Sequence, residues 1–220
     1  MDDDDGDVGT RPVPQGLLGL AAANDQLTLT RKFDADEQHR RSEIARVARE
    51  LARTRGYDGV TVREIASGAG VSPVTIYRYF GSKDGVLLHL MTEWSITILE
   101  ELYATADQRS GSIADRISEG MQLVIERAAE EMDLLTASMS SITSSRNDGV
   151  SIEDFRPVFL ELARGSLGDP EWTGASGAVH ILGHVYIACL LDLTVGRTKL
   201  ADVTTNIETA ATLLLRDVQH

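Results

Sequence analysis

The stretch that most constrains this chain is residues 61–83, which holds the signals for two short helices with a tight turn between them. Thr61 and Glu64 have the spacing of a capping box, in which each side chain satisfies a free backbone N–H group at the start of a helix. Gly70 marks the end of that helix, because glycine readily adopts the left-handed conformation that helix C-termini need. The spacing therefore predicts a first helix over the residues between these signals.

The second helix of this stretch begins at a well-marked point. Ser72 has the side chain of an N-cap, and Pro73 suits the first helical position, where a missing N–H group costs nothing. The predicted helix covers residues 73–79 and is too short, and too polar on one face, to be a core element. Two short helices joined by a glycine turn are typical of a helix-turn-helix motif, whose second helix enters the major groove of DNA.

The charge of the chain fits DNA binding only when its distribution is considered. The 220 residues carry a net charge of −13, which by itself argues against DNA binding because affinity rests largely on phosphate neutralisation. Residues 38–83 contain nine Arg and Lys against four Asp and Glu, a net charge of +5, which leaves −18 on the rest. A basic segment on an acidic body indicates a DNA-reading head.

Apolar periodicity predicts an all-α protein in three parts. Residues 1–35 open with four aspartates and are expected to form an acidic disordered tail. Residues 36–82 predict a three-helix DNA-binding head that contains the helix-turn-helix. Residues 83–220 predict a larger helical body for ligand binding and dimerisation, and its first long helix joins it physically to the head.

Several classes of protein are not supported by the sequence. A single cysteine fits a reducing compartment, and the acidic N-terminus and the lack of an apolar run of about 18–20 residues predict a cytoplasmic protein without membrane contact. No catalytic triad, carboxylate pair or phosphate-binding loop is evident, so no catalytic residue and no cofactor is expected. His180 and His184 share one helix face and could ligate a metal, but without an evident third ligand an interface or pocket position is the preferred interpretation, and no metal site is predicted.

Residues 44–88 resemble the N-terminal domain of TetR-type transcriptional regulators. The resemblance rests on the spacing of Tyr57, Thr61, Ile65, Ala66, Ala69, Gly70, Val71, Tyr77, Phe80 and Lys83. Gly85 departs from the family pattern, which usually has glutamate or a similar helix former there, and this glycine is expected to loosen the start of the fourth helix. The segment D-L-L-T-A-S-M and the last two helices are similar to actinobacterial regulators of steroid and fatty-acyl catabolism.

The resemblance implies a set of DNA contacts in the head. The candidates are Thr61, Arg63, Ser72, Pro73, Val74, Thr75, Tyr77, Arg78, Tyr79 and Lys83. Arg78 can donate two hydrogen bonds to a guanine edge, and Arg63 corresponds to a position that can also reach a base. The hydroxyl groups among the candidates suit phosphate oxygens, as does Lys83 at a helix start. For Tyr77, a place mainly in the core is the alternative.

The resemblance also implies a dimer. Residues 175–195 and 203–215 predict the last two helices, the first of them apolar almost all round. In this family such a pair usually forms a four-helix interface with the same pair of a second subunit, and Leu190 would lie at the centre of that seam. The resulting homodimer would set two recognition helices one DNA turn apart on a palindromic operator.

Together these features predict a ligand-responsive repressor that is released from DNA by a small apolar molecule, such as a lipid, a steroid or an acyl-CoA intermediate. The candidates for lining its cavity are Trp94, Ile98, Met121, Met139, Phe155 and Phe159, whose helical spacing fits an ordinary core equally well. The alternative function is a small-molecule-binding or enzymatic α-helical domain whose head has lost DNA binding.

Overall fold

A computed structural model describes residues 34–143 and 156–218, and all regular structure in these ranges is helical. The α-helices are α1 (Ala35–Arg55), α2 (Val62–Gly68), α3 (Pro73–Phe80), α4 (Lys83–Ala104), α5 (Ile113–Glu130), α6 (Met132–Thr143), α7 (Arg156–Leu167), α8 (Ser176–Thr194) and α9 (Leu200–Leu215). A short 3-10 helix, Ala106–Gln108, follows α4. The predicted all-α class is confirmed.

The helix ends of the helix-turn-helix follow the signals in the sequence. The Thr61 side chain accepts a hydrogen bond from the backbone N–H of Glu64, and Ser72 accepts one from the N–H of Thr75, each at 3.2 Å. Gly70 lies in the turn between the two helices with a φ of +63°, a conformation that suits glycine. The two N-caps and the glycine turn are confirmed because each depends on contacts within one turn of chain. The reciprocal half of the capping box is not seen, since the Glu64 carboxylate accepts from the Thr61 hydroxyl and not from a backbone N–H.

Two details of the head differ from the expectation. Asp34 caps α1, which begins at Ala35, so the last two residues assigned to the acidic tail belong to the helix and its cap. Residues 1–33 lie outside the described ranges.

The start of α4 is not loosened by Gly85. Its N–H donates to the Ser82 side chain at 3.0 Å, and a Cβ there would lie 1.9 Å from the carbonyl oxygen of Phe80, so the close approach of the two helices requires glycine.

Buried apolar side chains form two clusters. The first joins α1, α2, α3 and the start of α4, and it also takes in Leu134 and Ala137 of α6. The second fills the space between α4 and the helices from α5 to α9. The first cluster contains residues from both sides of the predicted domain boundary between residues 82 and 83. The division into domains at that boundary stays a prediction. The head therefore shares part of its core with the body.

The helix α8 has a buried face and an exposed face. Leu182, Tyr186 and Leu190 pack into the body, whereas Ile181 is 52% exposed on the opposite side together with His184. The expectation that Leu190 lies at the centre of a subunit seam is wrong, because this side chain is buried in the core of its own chain. Within the chain, α8 packs against α6, α7 and α9.

By length and composition alone, α8 could cross a membrane; within the described ranges it is the one helix that could. The sequence analysis did not anticipate this. Core helices of globular proteins pass the same test, and α8 packs against α7 and α9. The length and composition of α8 are therefore weak evidence for a membrane span. The face of α8 that packs inside the protein accounts for its apolar residues.

Candidate nucleic-acid interface and apolar cavity

The second helix of the helix-turn-helix, α3, exposes one face and buries the other. Val74 is 72% exposed and Tyr77 is 56% exposed, while Ile76 and Phe80 lie in the core of the head. Ser72, Pro73 and Arg78 are also exposed, and Thr75 is half-buried. Large apolar side chains held in solvent beside polar ones are typical of an interaction surface. The exposed face is the one to which the predicted base contacts were assigned.

The start of α2 adds two further candidates to the exposed surface. Thr61 and Arg63 are both exposed. The Thr61 hydroxyl donates to the carboxylate of Glu64 at 2.8 Å, and Arg55 approaches the same carboxylate at 2.6 Å. Arg63 has no ion pair with any residue in the described ranges, so its guanidinium is available to an external anion.

Arg78 is held against the first helix in the free protein. Its Nη2 lies 3.2 Å from a carboxylate oxygen of Glu37 and donates to the Tyr79 hydroxyl at 2.7 Å. Its guanidinium also lies over the Tyr79 ring, 4.7 Å from the centroid. A contact between Arg78 and a guanine would therefore have to replace the Glu37 pair.

Of the two tyrosines of α3, both predicted as DNA contacts, Tyr77 is exposed as that assignment requires and Tyr79 is not. Tyr79 is buried, with its ring at 6.4 Å from that of Phe80, whereas Tyr77 projects into solvent. The assignment of Tyr79 to a phosphate is corrected on this ground: its ring belongs to the core and its hydroxyl already accepts from Arg78. The alternative of a mainly core role for Tyr77 is wrong for the same geometric reason, because successive residues on a helix point about 100° apart.

Lys83 has a partner that the sequence did not reveal. Its Nζ donates to the backbone carbonyl of Tyr57 at 3.0 Å and lies 3.6 Å from the centroid of the same ring. The Tyr57 hydroxyl in turn donates to Asp84 at 2.9 Å. Tyr57 thus fixes the first turn of α4 to the end of α1, and the half-buried ammonium group of Lys83 stays at the edge of the head.

The body contains an apolar cavity between α4, α5, α6, α7 and α8. It holds about 660 Å³ of space not filled by protein atoms, part of it open to solvent. Its lining residues are Leu88, Met91, Thr92, Trp94, Ser95, Ile98, Val124, Leu135, Met139, Val158, Phe159, Leu162, Tyr186, Ile187 and Leu190. Such a predominantly apolar hollow with a few polar groups has the character of a small-molecule site.

Four of the six predicted lining residues border this cavity: Trp94, Ile98, Met139 and Phe159. Met121 borders a separate, smaller space together with Phe159, so its assignment is corrected. Phe155 lies outside the described residues. The contribution of α8 was missed, because its apolar character was attributed to a subunit interface alone; a helix apolar on every side has more than one face to cover.

The helix α6 contacts both the head and the cavity. Leu134 belongs to the buried cluster of the head, and the next residue, Leu135, lines the cavity together with Met139. A displacement of α6 by a molecule in the cavity would therefore move side chains of the head core. This arrangement provides a physical path between the two candidate sites.

The two histidines of α8 do not form a metal site with other described residues. Their rings lie edge to face with centroids 4.4 Å apart, and Nδ1 of His184 is 2.9 Å from the carbonyl oxygen of His180. Within the described ranges, no three His, Cys, Asp or Glu residues come together in a way that could hold a metal.

Comparison with known proteins identifies the head. Residues 44–90 match the family model for bacterial regulatory proteins of the tetR family. The chain is also 28% identical over 188 residues to the HTH-type transcriptional repressor KstR of Rhodococcus jostii (strain RHA1), and the match covers 82% of this chain and 85% of KstR. Residues 44–90 therefore carry the DNA-binding domain of the tetR family, and the matches support a tetR-family regulator. Regulators of the tetR family bind DNA and are typically dimers with small-molecule effectors.

Solved structures of tetR-family regulators share the fold over about four fifths of this chain. A TetR transcriptional regulator from Rhodococcus sp. RHA1 superposes with a TM-score of 0.67 at 22% identity, covering 84% of this chain and 99% of that one. Thermus thermophilus FadR, a TetR-family repressor solved in complex with lauroyl-CoA, superposes with a TM-score of 0.58 at 23% identity. The match covers 82% of this chain and 95% of that one. At these identities the superpositions establish the fold.

Proposed function

We propose that this chain is a tetR-family repressor that binds a palindromic operator as a homodimer and leaves it when a small apolar molecule enters the cavity. The observation that carries the proposal is one chain holding an exposed helix-turn-helix and an apolar cavity, with α4 and α6 contributing to both the cavity wall and the head core. An occupied cavity would favour a spacing of the two heads that no longer fits successive major grooves.

The apolar lining of the cavity supports the proposed effector class. An acyl chain or a steroid matches a wall built from leucine, isoleucine, valine, methionine and aromatic side chains. The lauroyl-CoA bound by Thermus thermophilus FadR shows an acyl-CoA in a protein of the same fold. We therefore propose a lipid, steroid or acyl-CoA intermediate as the effector.

The exposed faces of α8 and α9 support dimerisation through these helices. Ile181 of α8 and Leu213 of α9 are both more than half exposed in the single chain. Their burial against the same pair of helices in a second copy would give an isologous interface with twofold symmetry. A repressor of this kind would act in the cytoplasm, where the operator DNA is found.

A mobility-shift experiment with fragments of the source genome tests the proposal. The full chain should retard fragments that contain an inverted repeat, and lauroyl-CoA or another apolar ligand should release them. A footprint should show two protected half-sites about one helical turn apart. Val74→Glu, which places a charge on the exposed face of α3, should abolish the band and leave the dimer intact. A folded wild-type dimer that retards no fragment specifically would instead favour a ligand-binding or enzymatic domain whose head has lost DNA binding.

A further inference from the structure

Tyr186 places a polar group at the wall of the apolar cavity. The residue lies on the inner face of α8 and is only 5% exposed. Its ring packs edge to face against that of Phe159, with centroids 6.5 Å apart. No described residue forms a hydrogen bond with its hydroxyl. The Tyr186 side chain is thus largely buried, and its hydroxyl has no partner among the described residues.

A hydroxyl at a cavity wall that pairs with no protein group can be reached by a small molecule, and a molecule that excludes water from it without pairing with it incurs a free-energy cost. Burial raises the pKa of Tyr186, so the phenol keeps its proton at neutral pH and can donate a hydrogen bond. The other polar side chains of the wall either have a hydrogen-bond partner or lie within reach of water. Thr92 already donates to the carbonyl of Leu88 at 3.0 Å, and Ser95 is only half-buried, within reach of water.

The absence of charged side chains among the described lining residues limits which ligands the cavity can hold. None of the described lining residues is charged, so a free carboxylate in the cavity would lose its hydration without gaining a counter-ion. A pure hydrocarbon would leave the Tyr186 hydroxyl unpaired. A neutral oxygen on the ligand avoids both costs.

Within the proposed ligand response, we infer that Tyr186 selects effectors that are uncharged inside the cavity and carry one oxygen able to accept a hydrogen bond, such as a ketone, an ester or a thioester. The remainder of the effector is apolar and fills the space between α4 and α7. An acyl-CoA meets this requirement through its thioester, provided that its charged part lies outside the cavity.

The test compares decan-2-one, decane and decanoate, which share a chain length and differ in their oxygen atoms. Binding to the full-length dimer without DNA is followed by the shift in melting temperature and by tryptophan fluorescence, recorded in a Trp172→Phe background so that the signal comes from Trp94 of the cavity wall. The wild type should bind decan-2-one about 2–10-fold more tightly than decane, the range that one neutral hydrogen bond gives, and should bind decanoate most weakly.

Tyr186→Phe removes only the hydroxyl and breaks no hydrogen bond with a described residue, so the variant should fold. It should lower the affinity for decan-2-one to the level of decane and leave the affinity for decane unchanged. Tyr103→Phe is the matched control, because Tyr103 is a half-buried tyrosine of α4 outside the cavity lining, and it should change neither value.

Three results would overturn the inference. Equal binding of the ketone and the hydrocarbon by the wild type would show that the hydroxyl selects nothing. Equal losses for both ligands in Tyr186→Phe would assign the residue a packing role alone. If the wild type bound none of the three probes, the proposed ligand response would be overturned together with the inference. The first two results would overturn only the role of Tyr186.

Discussion

Arg53 in α1 donates two hydrogen bonds to the carboxylate of Glu131, from Nε at 3.2 Å and from Nη2 at 2.5 Å. The hydrogen bond to Glu131 raises the pKa of Arg53, and Arg49 approaches the same carboxylate at 4.0 Å. Glu131 lies between α5 and α6 and borders a small space lined by Met91 and Trp94, which also line the cavity. This ion pair joins the head to the start of α6, beside Met91 and Trp94 of the cavity wall.

Glu131→Ala should weaken the coupling between effector and operator. The ratio of operator dissociation constants with and without effector should fall by up to about fivefold, because partly exposed ion pairs contribute about 0.2–1 kcal/mol. Titrations of labelled operator with and without saturating effector measure this ratio. Glu130→Ala is the control, since Glu130 pairs with Arg127 of its own helix and not with the head. The same change in both variants would remove Glu131 from the coupling path.

Arg78→Ala should relax discrimination at one base pair in each half-site. The loss should be about 1–3 kcal/mol on the preferred operator and much smaller on operators already mutated at that position. Binding to a panel of single-base operator variants measures this. Arg46→Ala, an exposed arginine on α1 that pairs with Glu43, serves as a control for lost positive charge. Uniform weakening on every sequence would make Arg78 a phosphate contact.

Lys83→Ala should weaken binding to operator DNA and to random DNA by the same factor. The slope of log affinity against log salt should fall by about one for each head, because one phosphate contact is lost. The same change removes the cation–π contact with Tyr57, which should lower the free energy of unfolding by about 0.5–1 kcal/mol. Salt titrations and denaturant melts separate these effects. An unchanged salt slope with lowered stability would restrict Lys83 to holding Tyr57.

Ile181→Glu should split the dimer and leave each chain folded. Two symmetry-related carboxylates would be buried without partners in the proposed interface, at a cost of several kcal/mol. Sedimentation should give a monomer, circular dichroism should stay helical, and operator binding should be lost. Val74→Glu, with its charge on the head, should stay dimeric and still fail to bind operator.

Leu190→Glu is expected to behave differently from Ile181→Glu. Its carboxylate would enter the core of its own chain and the wall of the cavity. Unfolding at a lower temperature should therefore accompany any loss of the dimer. A dimer of wild-type mass for Ile181→Glu would place the subunit interface elsewhere.

Features that depend on one turn of chain could be predicted from the sequence. The Thr61–Glu64 cap, the Ser72–Pro73 start of α3 and the glycine turn between them involve neighbours within four residues, so the side chains themselves define the geometry. The family resemblance over the head rests on the same local pattern, and the family match confirms it. Four cavity residues were found because their helical periodicity marks an inward face.

Contacts between distant segments were decided only by the tertiary structure. The burial of Tyr79 instead of Tyr77 depends on where α1 lies, and the inward direction of Leu190 depends on α8 packing against α7 and α9. The Arg53–Glu131 pair joins residues 78 positions apart, a separation for which the sequence carries no periodic signal. Sequence alone determined which segments become helices and caps, because those choices are local; which face of each helix meets protein, ligand or solvent follows from the arrangement of all the others.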